Sequence, residues 1–519
     1  VHINASFFCL PSAKISFLFN KHAVFLIKTL SNFNQTIMRK ILLFAFVALL
    51  AHSIWAQEID HEAFITKALD TKTPRYSEMA RQIWENPELG YLEFTSSKIL
   101  VDELKAAGFR VETGVADMPT SFVATYDKGG PVIGFLAEFD ALPGLSQDAV
   151  PFRSVLVEGG NGHGCGHNLF GTAVVASGIA LKEWVDANNI QATIKIFGTP
   201  AEEGGAGKVY MVRAGLFNGV DAVINWHPSD RNAANASTCT AVMQGFFKFR
   251  GQTSHAAGAP QRGRSALDGV EAMNMMVNMM REHVDQESRI HYVITNGGLA
   301  ANVVPDYAVV EYMVRHPDVT EVKQMWQRVI KAAEGAALGT GTSVEVEVVS
   351  GIYGLLPNET LAKAMHKSLT SVGGVEYDAA ELEFAKKIQQ TFNSPRIPPL
   401  TMAKEIQPYQ LTHFPASTDV GDVSYVVPTV GLGTATWVPG TAAHTWQAVA
   451  ADGMTIGYKG MMVAAKTMAL TGKELILNPL LIEEAKKEFN QRLGGLVYEP
   501  LIGDMKPPLE FRKDQNKVK

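Results

Sequence analysis

Asn161-Gly162-His163-Gly164-Cys165-Gly166-His167-Asn168 sets one thiol and two imidazoles among glycines. Cys165 and His167 are separated only by Gly166, so both can turn toward one point. The glycines permit backbone angles that a Cβ forbids and let the chain approach a bound ion closely. A soft thiolate beside an imidazole suits Zn²⁺ or a similar transition metal. On this stretch alone two other possibilities stay open: a glycine turn with incidental polar groups, and a Cys165 nucleophile served by a histidine base.

The elements around the stretch narrow the choice. Segment 132–137 is a near-continuous apolar run, as expected of a strand covered on both faces, and it leads into Glu138-Phe139-Asp140-Ala141-Leu142-Pro143. Segment 193–197 reads as a strand ending in Pro200-Ala201-Glu202-Glu203-Gly204-Gly205, and 222–226 as a strand ending in His227-Pro228. Helices are expected over 172–185 and 208–213 between these strands. Further helices are expected up to Trp84 and over 96–107, the second closed by Gly108, with a strand over 122–126. This alternation implies an α/β fold, a mostly parallel mixed sheet with helices on both faces. Asp140, Glu202 with Glu203, and His227 then each fall just beyond a strand's C-terminal end, where ligands collect in open α/β sheets. Cys165 and His167 lie in a loop feeding a helix. Their convergence on one edge favours a metal site.

From Ala241 the pattern changes to β-α-β-β-α-β, which predicts a compact α+β insert with an antiparallel sheet. Met273, Met276 and Met280 on its first helix read as core. The expected division is 1–56 upstream residues and leader, 57–240 the first catalytic segment, 241–351 the insert, 352–480 the second catalytic segment and 481–519 a C-terminal extension.

The chain has 519 residues, 46% hydrophobic and 19% charged, the composition of a soluble globular enzyme with more than one domain. A net charge of -6 without a basic cluster argues against a nucleic-acid surface. Three cysteines build no disulfide framework, although Cys165 and Cys239 could pair in an exported protein. Met38-Arg39-Lys40, the apolar run 41–50 and Ala56-Gln57 read as a signal peptide cut after Ala56, too short to anchor in a membrane. Residues 1–37 read as translation upstream of a start at Met38. The expected location is secreted or periplasmic.

Taken in order, six motifs resemble the M20 metallopeptidase family and its amidohydrolase branch with a Cys-Gly-His motif. They are Glu138-Phe139-Asp140-Ala141-Leu142-Pro143, Gly164-Cys165-Gly166-His167, Pro200-Ala201-Glu202-Glu203-Gly204-Gly205, Trp226-His227-Pro228, Gly251-Gln252-Thr253-Ser254-His255-Ala256 and Ala443-His444. The resemblance runs from about Ala63 to the C-terminal region. It implies two divalent metal ions, Zn²⁺ or Mn²⁺, with Cys165 bridging and His167, Glu203, His227 and His444 completing the ligand set. Glu202 would stay free as general base, taking a proton from the attacking water and returning it to the leaving amine. His255, on a lid and dimerisation insert, would reach the partner protomer's site and stabilise the oxyanion. Asn302 and Arg315 would hold a substrate carboxylate, and Asp140 would orient a ligand.

Two positions depart from the family pattern. Asn168 stands where much of the branch has Asp, and Glu138 where other branches have His, so a ligand is not implied at Glu138. His163 is expected to be structural and His413 to have no role. The expected protein is a homodimer, or a heteromer with a related subunit, that cleaves a small-molecule amide: p-aminobenzoyl-glutamate or a similar N-acyl amino acid. A dipeptidase or aminoacylase of the same family is the alternative. A non-catalytic metal-bearing protein is a further one, which Glu202 argues against, because binding alone needs no free base.

Overall fold

Side chains that alternate between two buried faces explain how the larger sheet is covered. A computed structural model describes residues 60–513; the leader segment and Cys9 lie outside the described residues. Helices α1 (His61–Trp84) and α2 (Phe94–Ala106) precede strands β1 (Arg110–Thr113), β2 (Phe122–Asp127) and β3 (Val132–Ala137). Then come α3 (His167–Ala187), β4 (Thr193–Gly198), α4 (Gly207–Arg213) and β5 (Ala222–Ser229). After the middle of the chain, β12 (Thr429–Ala435) completes a six-stranded sheet of order β1-β2-β4-β3-β5-β12. Strands β4, β3, β5 and β12 run parallel, while β2 and β1 form an antiparallel margin.

Ile133 and Phe135 of β3, Ile194 and Ile196 of β4 and Ile224 of β5 join one core with α1, α2, α3 and α11 (Thr455–Leu477). Leu136, Phe197 and Val223 point the other way, into a second core with α4 and α9 (Val420–Ser424). Each such side chain contributes about 1.5–3 kcal/mol by burial, so both faces are firmly layered. The sheet is mostly parallel with helices on both faces, as the sequence pattern implies. Because β3, β4 and β5 are parallel, the loops after them open on one edge.

Between β5 and β12 the chain builds a second sheet, after the short strand β6 (Ala236–Cys239). Its order is β10-β7-β9-β8, antiparallel throughout, from β7 (Ala241–Arg250), β8 (Arg289–Asn296), β9 (Tyr307–His316) and β10 (Ser343–Ile352). Helices α5 (Ala266–Met280) and α6 (Val319–Thr340) cover one face, giving the β-α-β-β-α-β order read from the sequence. Met273 and Met280 are core residues, but Met276 is not. It lies at the rim of the covered stripe opposite Gly335 of α6, which has no side chain to bury it. A second correction concerns His227, which lies within β5 rather than beyond it. Pairing with β12 continues through Ser229 and sets His227 against Gly433.

Helices α7 (Glu359–Val372) and α8 (Ala379–Gln389), strand β11 (Leu411–Phe414), α10 (Trp446–Asp452) and α12 (Pro479–Leu493) complete the fold. Among the described residues no helix is long and apolar enough to cross a membrane.

Candidate metal centre

The site is assembled from four loops at the open edge of the parallel sheet. Asp140, after β3, is fully buried and accepts from His167 Nδ1 at 3.0 Å and from the Glu203 N–H at 2.9 Å. With Nδ1 donating to Asp140, a neutral His167 would turn its Nε2 lone pair outward, which is how a carboxylate prepares an imidazole for a metal. His167 opens α3, and Gly166 before it has φ +73°. A Cβ there would lie 2.7 Å from the Pro228 ring. Gly166→Ala is therefore expected to cost at least about 1 kcal/mol from the left-handed backbone alone and to weaken metal binding. Thermal unfolding with and without added metal measures both effects.

The loop after β4 is bent by left-handed residues, Ala201 at φ +58°, Gly204 at +99° and Ala206 at +55°. Each alanine in that region costs on the order of 1–3 kcal/mol, so the surroundings must hold it. Buried Glu93 does so by accepting from the Ala201 N–H at 2.8 Å and from Thr120 Oγ1 at 2.8 Å. Burial and the charge of Asp140 push the Glu93 carboxyl up to about 8. Tyr91 Oη donates to the Gly205 carbonyl at 2.6 Å. His444, also left-handed at φ +60°, donates its N–H to the Gly164 carbonyl at 2.8 Å and so comes to lie beside Cys165.

The five residues expected as ligands come together in two groups that share one atom. Cys165, His167 and His227 form one, and Cys165, Glu203 and His444 the other, with the donor atoms of each within 4.8 Å of one another. His227 Nε2 is 3.4 Å from Cys165 Sγ, and its Nδ1 faces the Pro228 carbonyl at 2.7 Å. Glu202 lies in a third group with Glu138 and His167, again within 4.8 Å.

Several features of these residues fit divalent cations. His167 Nε2 and Glu138 Oε2 face each other at 3.2 Å, as do His444 Nε2 and Glu203 Oε1, yet neither pair aligns as a hydrogen bond. Glu138 Oε2, His167 Nε2 and Glu203 Oε1 are all buried without a hydrogen-bond partner. Such groups cost about 1–3 kcal/mol each unless another partner meets them. Burial and the Glu203 charge push the Cys165 thiol well above its ordinary range. A thiolate here needs a cation, and coordination supplies one. Cys165 and Cys239 are both free thiols.

Beneath the site lies a buried ion triad that motif reading did not reveal. Lys208 Nζ is 2.7 Å from Glu138 Oε1 and 2.7 Å from Asp419 Oδ1, and all three side chains are shielded from water. Glu138 therefore has one oxygen on Lys208 and the other facing His167. Neither Glu93 nor Lys208 stands in a recognisable motif, because each acts through a partner more than a hundred residues away in the chain. Asn168 donates to the carbonyls of Ala80 and Asp452, at 3.3 and 3.2 Å, which an ionised Asp could not do. His163 is buried against the Ile83 carbonyl, and burial pulls its pKa down to about 3.

The insert residues stand apart. His255 is exposed, and its Nδ1 accepts from the N–H groups of Ala257 and Gly258 at 3.2 and 3.0 Å. Its loop meets that of Asn302, whose carbonyl accepts from the Ala256 N–H at 3.0 Å. Arg315, half-buried on β9, lies against Met313 Sδ. Among the described residues, no hydrogen bond or ion pair joins these three to the Cys165 cluster.

A buried thiol, imidazoles and carboxylates on the open edge of a parallel sheet, with a further carboxylate to spare, define a metal-dependent hydrolase. Residues 134–396 match Peptidase family M20/M25/M40, and the chain belongs to that family. It is 41% identical over 454 residues to the B subunit of p-aminobenzoyl-glutamate hydrolase from Escherichia coli (strain K12), covering 82% of this chain and 94% of that protein. Xaa-Arg dipeptidase of Mus musculus is 30% identical over 441 residues, covering 82% and 91%. The fold is similar to that of the Bacillus subtilis YXEP protein, a dinuclear metal binding peptidase from the M20 family. That likeness has a TM-score of 0.55 at 19% identity, over 79% of this chain and 99% of the other.

Proposed function

We propose that the chain hydrolyses the amide bond of p-aminobenzoyl-glutamate or a closely similar N-acyl amino acid, using two divalent ions, Zn²⁺ or Mn²⁺. The observation that carries this is the sharing of Cys165 by two donor groups, with Glu202 beside them. When bound, such ions polarise an amide carbonyl and lower the proton affinity of water. Glu202 takes the proton of the attacking water as oxygen bonds to the carbonyl carbon, then delivers it to the nitrogen as the C–N bond breaks. Asp140 would keep His167 in the required tautomer, and Glu203 would hold an ion while Glu202 stays free for the proton. The p-aminobenzoyl-glutamate substrate is drawn from the relative at 41% identity.

Hydrolysis of p-aminobenzoyl-glutamate, simple N-acyl amino acids and Xaa-Arg dipeptides by metal-reconstituted protein tests the assignment. Faster turnover of the dipeptides would replace it with a dipeptidase. Metal analysis should find about two ions per chain from the paired donor groups, and Cys165→Ala should bind fewer. An unchanged count in that variant would reject the bridging role.

The chain is proposed to work as a homodimer, with the insert 241–351 as lid and dimer contact. Strand β8 is an edge strand exposing Tyr292, Val293 and Ile294, and helix α5 of the same insert exposes Met275 and Met279. A long apolar edge of this kind needs a partner. His255 would then act on the partner's substrate as oxyanion donor, worth about 10²–10³ in rate. Mixing His255→Ala with Glu202→Gln chains should restore activity, since one site in each mixed dimer is intact; no recovery would place His255 in its own protomer's site. A second kind of subunit is the alternative suggested by the relative's name. The segment 38–56 supports export to the periplasm or beyond.

A further inference from the structure

The loop bearing Glu202 and Glu203 is held from four directions, and one hold comes from the far end of the described chain. Glu93 takes the Ala201 N–H, Asp140 takes the Glu203 N–H, and Tyr91 donates to the Gly205 carbonyl. The fourth is Arg512, whose Nη2 donates to the Glu203 carbonyl at 2.8 Å. Phe511 beside it meets the Tyr91 ring edge-on, with centroids 5.8 Å apart and planes at 72°. A Cβ on Gly204 would find Arg512 and Phe511 as its neighbours, each at 3.7 Å. The tail therefore closes directly over the glutamate loop.

The route to that point is anchored along its length. Tyr498 Oη donates to the Asp422 carboxylate at 2.7 Å, and Arg213 Nη1 donates to the carbonyls of Gly503 and Met505 at 2.8 and 2.7 Å. The consequence is local to Glu203. Its preceding peptide is pinned through the N–H by Asp140, and its following peptide through the carbonyl by Arg512. With both planes fixed, rotation about the Glu203 backbone is blocked. Glu203 and Glu202 then stay divergent, one facing His444 and the other grouped with Glu138 and His167. A loop containing two left-handed alanines keeps such an arrangement only when its neighbours over-determine it.

We propose that Arg512 is a positioning residue for the hydrolysis, strapping the 201–205 loop with Phe511 so that ligand and base keep their separate directions. This assignment rests on the base role proposed for Glu202. Full-length wild type, Arg512→Ala, Arg512→Lys and Glu202→Gln, each reconstituted with Mn²⁺, are compared on p-aminobenzoyl-glutamate. Metal content, melting temperature and amide hydrogen exchange of residues 201–205 are measured in parallel. Loss of one charged donor predicts a fall in kcat of about tenfold or more in Arg512→Ala, with KM and bound metal unchanged. Arg512→Lys should recover most of that loss, and exchange in the loop should quicken only in the alanine variant. Full kcat in Arg512→Ala beside an inactive Glu202→Gln would overturn the strap alone. A loss that merely follows metal content and melting temperature, without rescue by lysine, would also overturn it. An active Glu202→Gln would instead remove the base assignment, and unchanged exchange would still reject the strap.

Discussion

Glu202→Gln is expected to lower kcat by about 10²–10⁴ while leaving the bound metal in place. The substitution keeps size and polarity but removes the group that can accept a proton. Glu202 is not a member of either donor group that shares Cys165, so its loss removes no ligand from them. Burial and the charges of Glu138, Glu203 and Asp419 push its carboxyl well above the ordinary range in the protein alone. Cations close by favour the carboxylate again, so a base in this position depends on the metals to be ionised. Steady-state kinetics with elemental analysis of the same samples check the prediction. Full activity with full metal would move the base elsewhere.

Lys208→Met is expected to destabilise the fold by about 3–5 kcal/mol, the cost of leaving buried carboxylates without their cation. That is a large part of a total stability on the order of 5–15 kcal/mol. Glu138 and Asp419 each sit 2.7 Å from the ammonium, and Asp419 also accepts the Lys208 N–H at 3.0 Å. Burial pushes the Asp419 carboxyl up to about 6 even with Lys208 present. Without the lysine it holds its proton more tightly still in the folded chain, while the unfolded chain has lost it. The folded state then binds more protons, so stability falls as pH rises above the ordinary carboxylate range. The deficit should accordingly widen from about pH 5 to pH 8, and urea unfolding at several pH values measures it. A flat, small deficit would mean that the triad adds little. Adding Glu138→Gln and Asp419→Asn to Lys208→Met should return much of the loss, since neutral groups can be buried without the cation.

The strands of the large sheet were legible as short apolar runs because each of its faces is buried. The run at 132–137 is apolar throughout since Ile133 and Phe135 meet one helical layer and Leu136 the other. Met276 misled because helical spacing reports the angle of a residue, whereas burial depends on what the facing helix offers, here a glycine. The end of β5 was hidden because His227 and Pro228 look like a strand terminus, while pairing with β12 carries the strand two residues beyond His227.

The sequence by itself determined the chemistry of the candidate ligand residues: their types, their order and the glycines that let them crowd. These are local properties, set by side-chain donors and by backbone angles that only particular residues tolerate. The tertiary structure decided how Cys165, His167, His227, Glu203 and His444 divide into two groups around one sulfur. It also decided which groups support them, from Glu93 and Lys208 to Arg512, 309 residues after the glutamate it touches. Hydrogen bonds and buried ion pairs leave no periodic trace in a chain, because their partners meet only after the sheet has brought its loops to one edge.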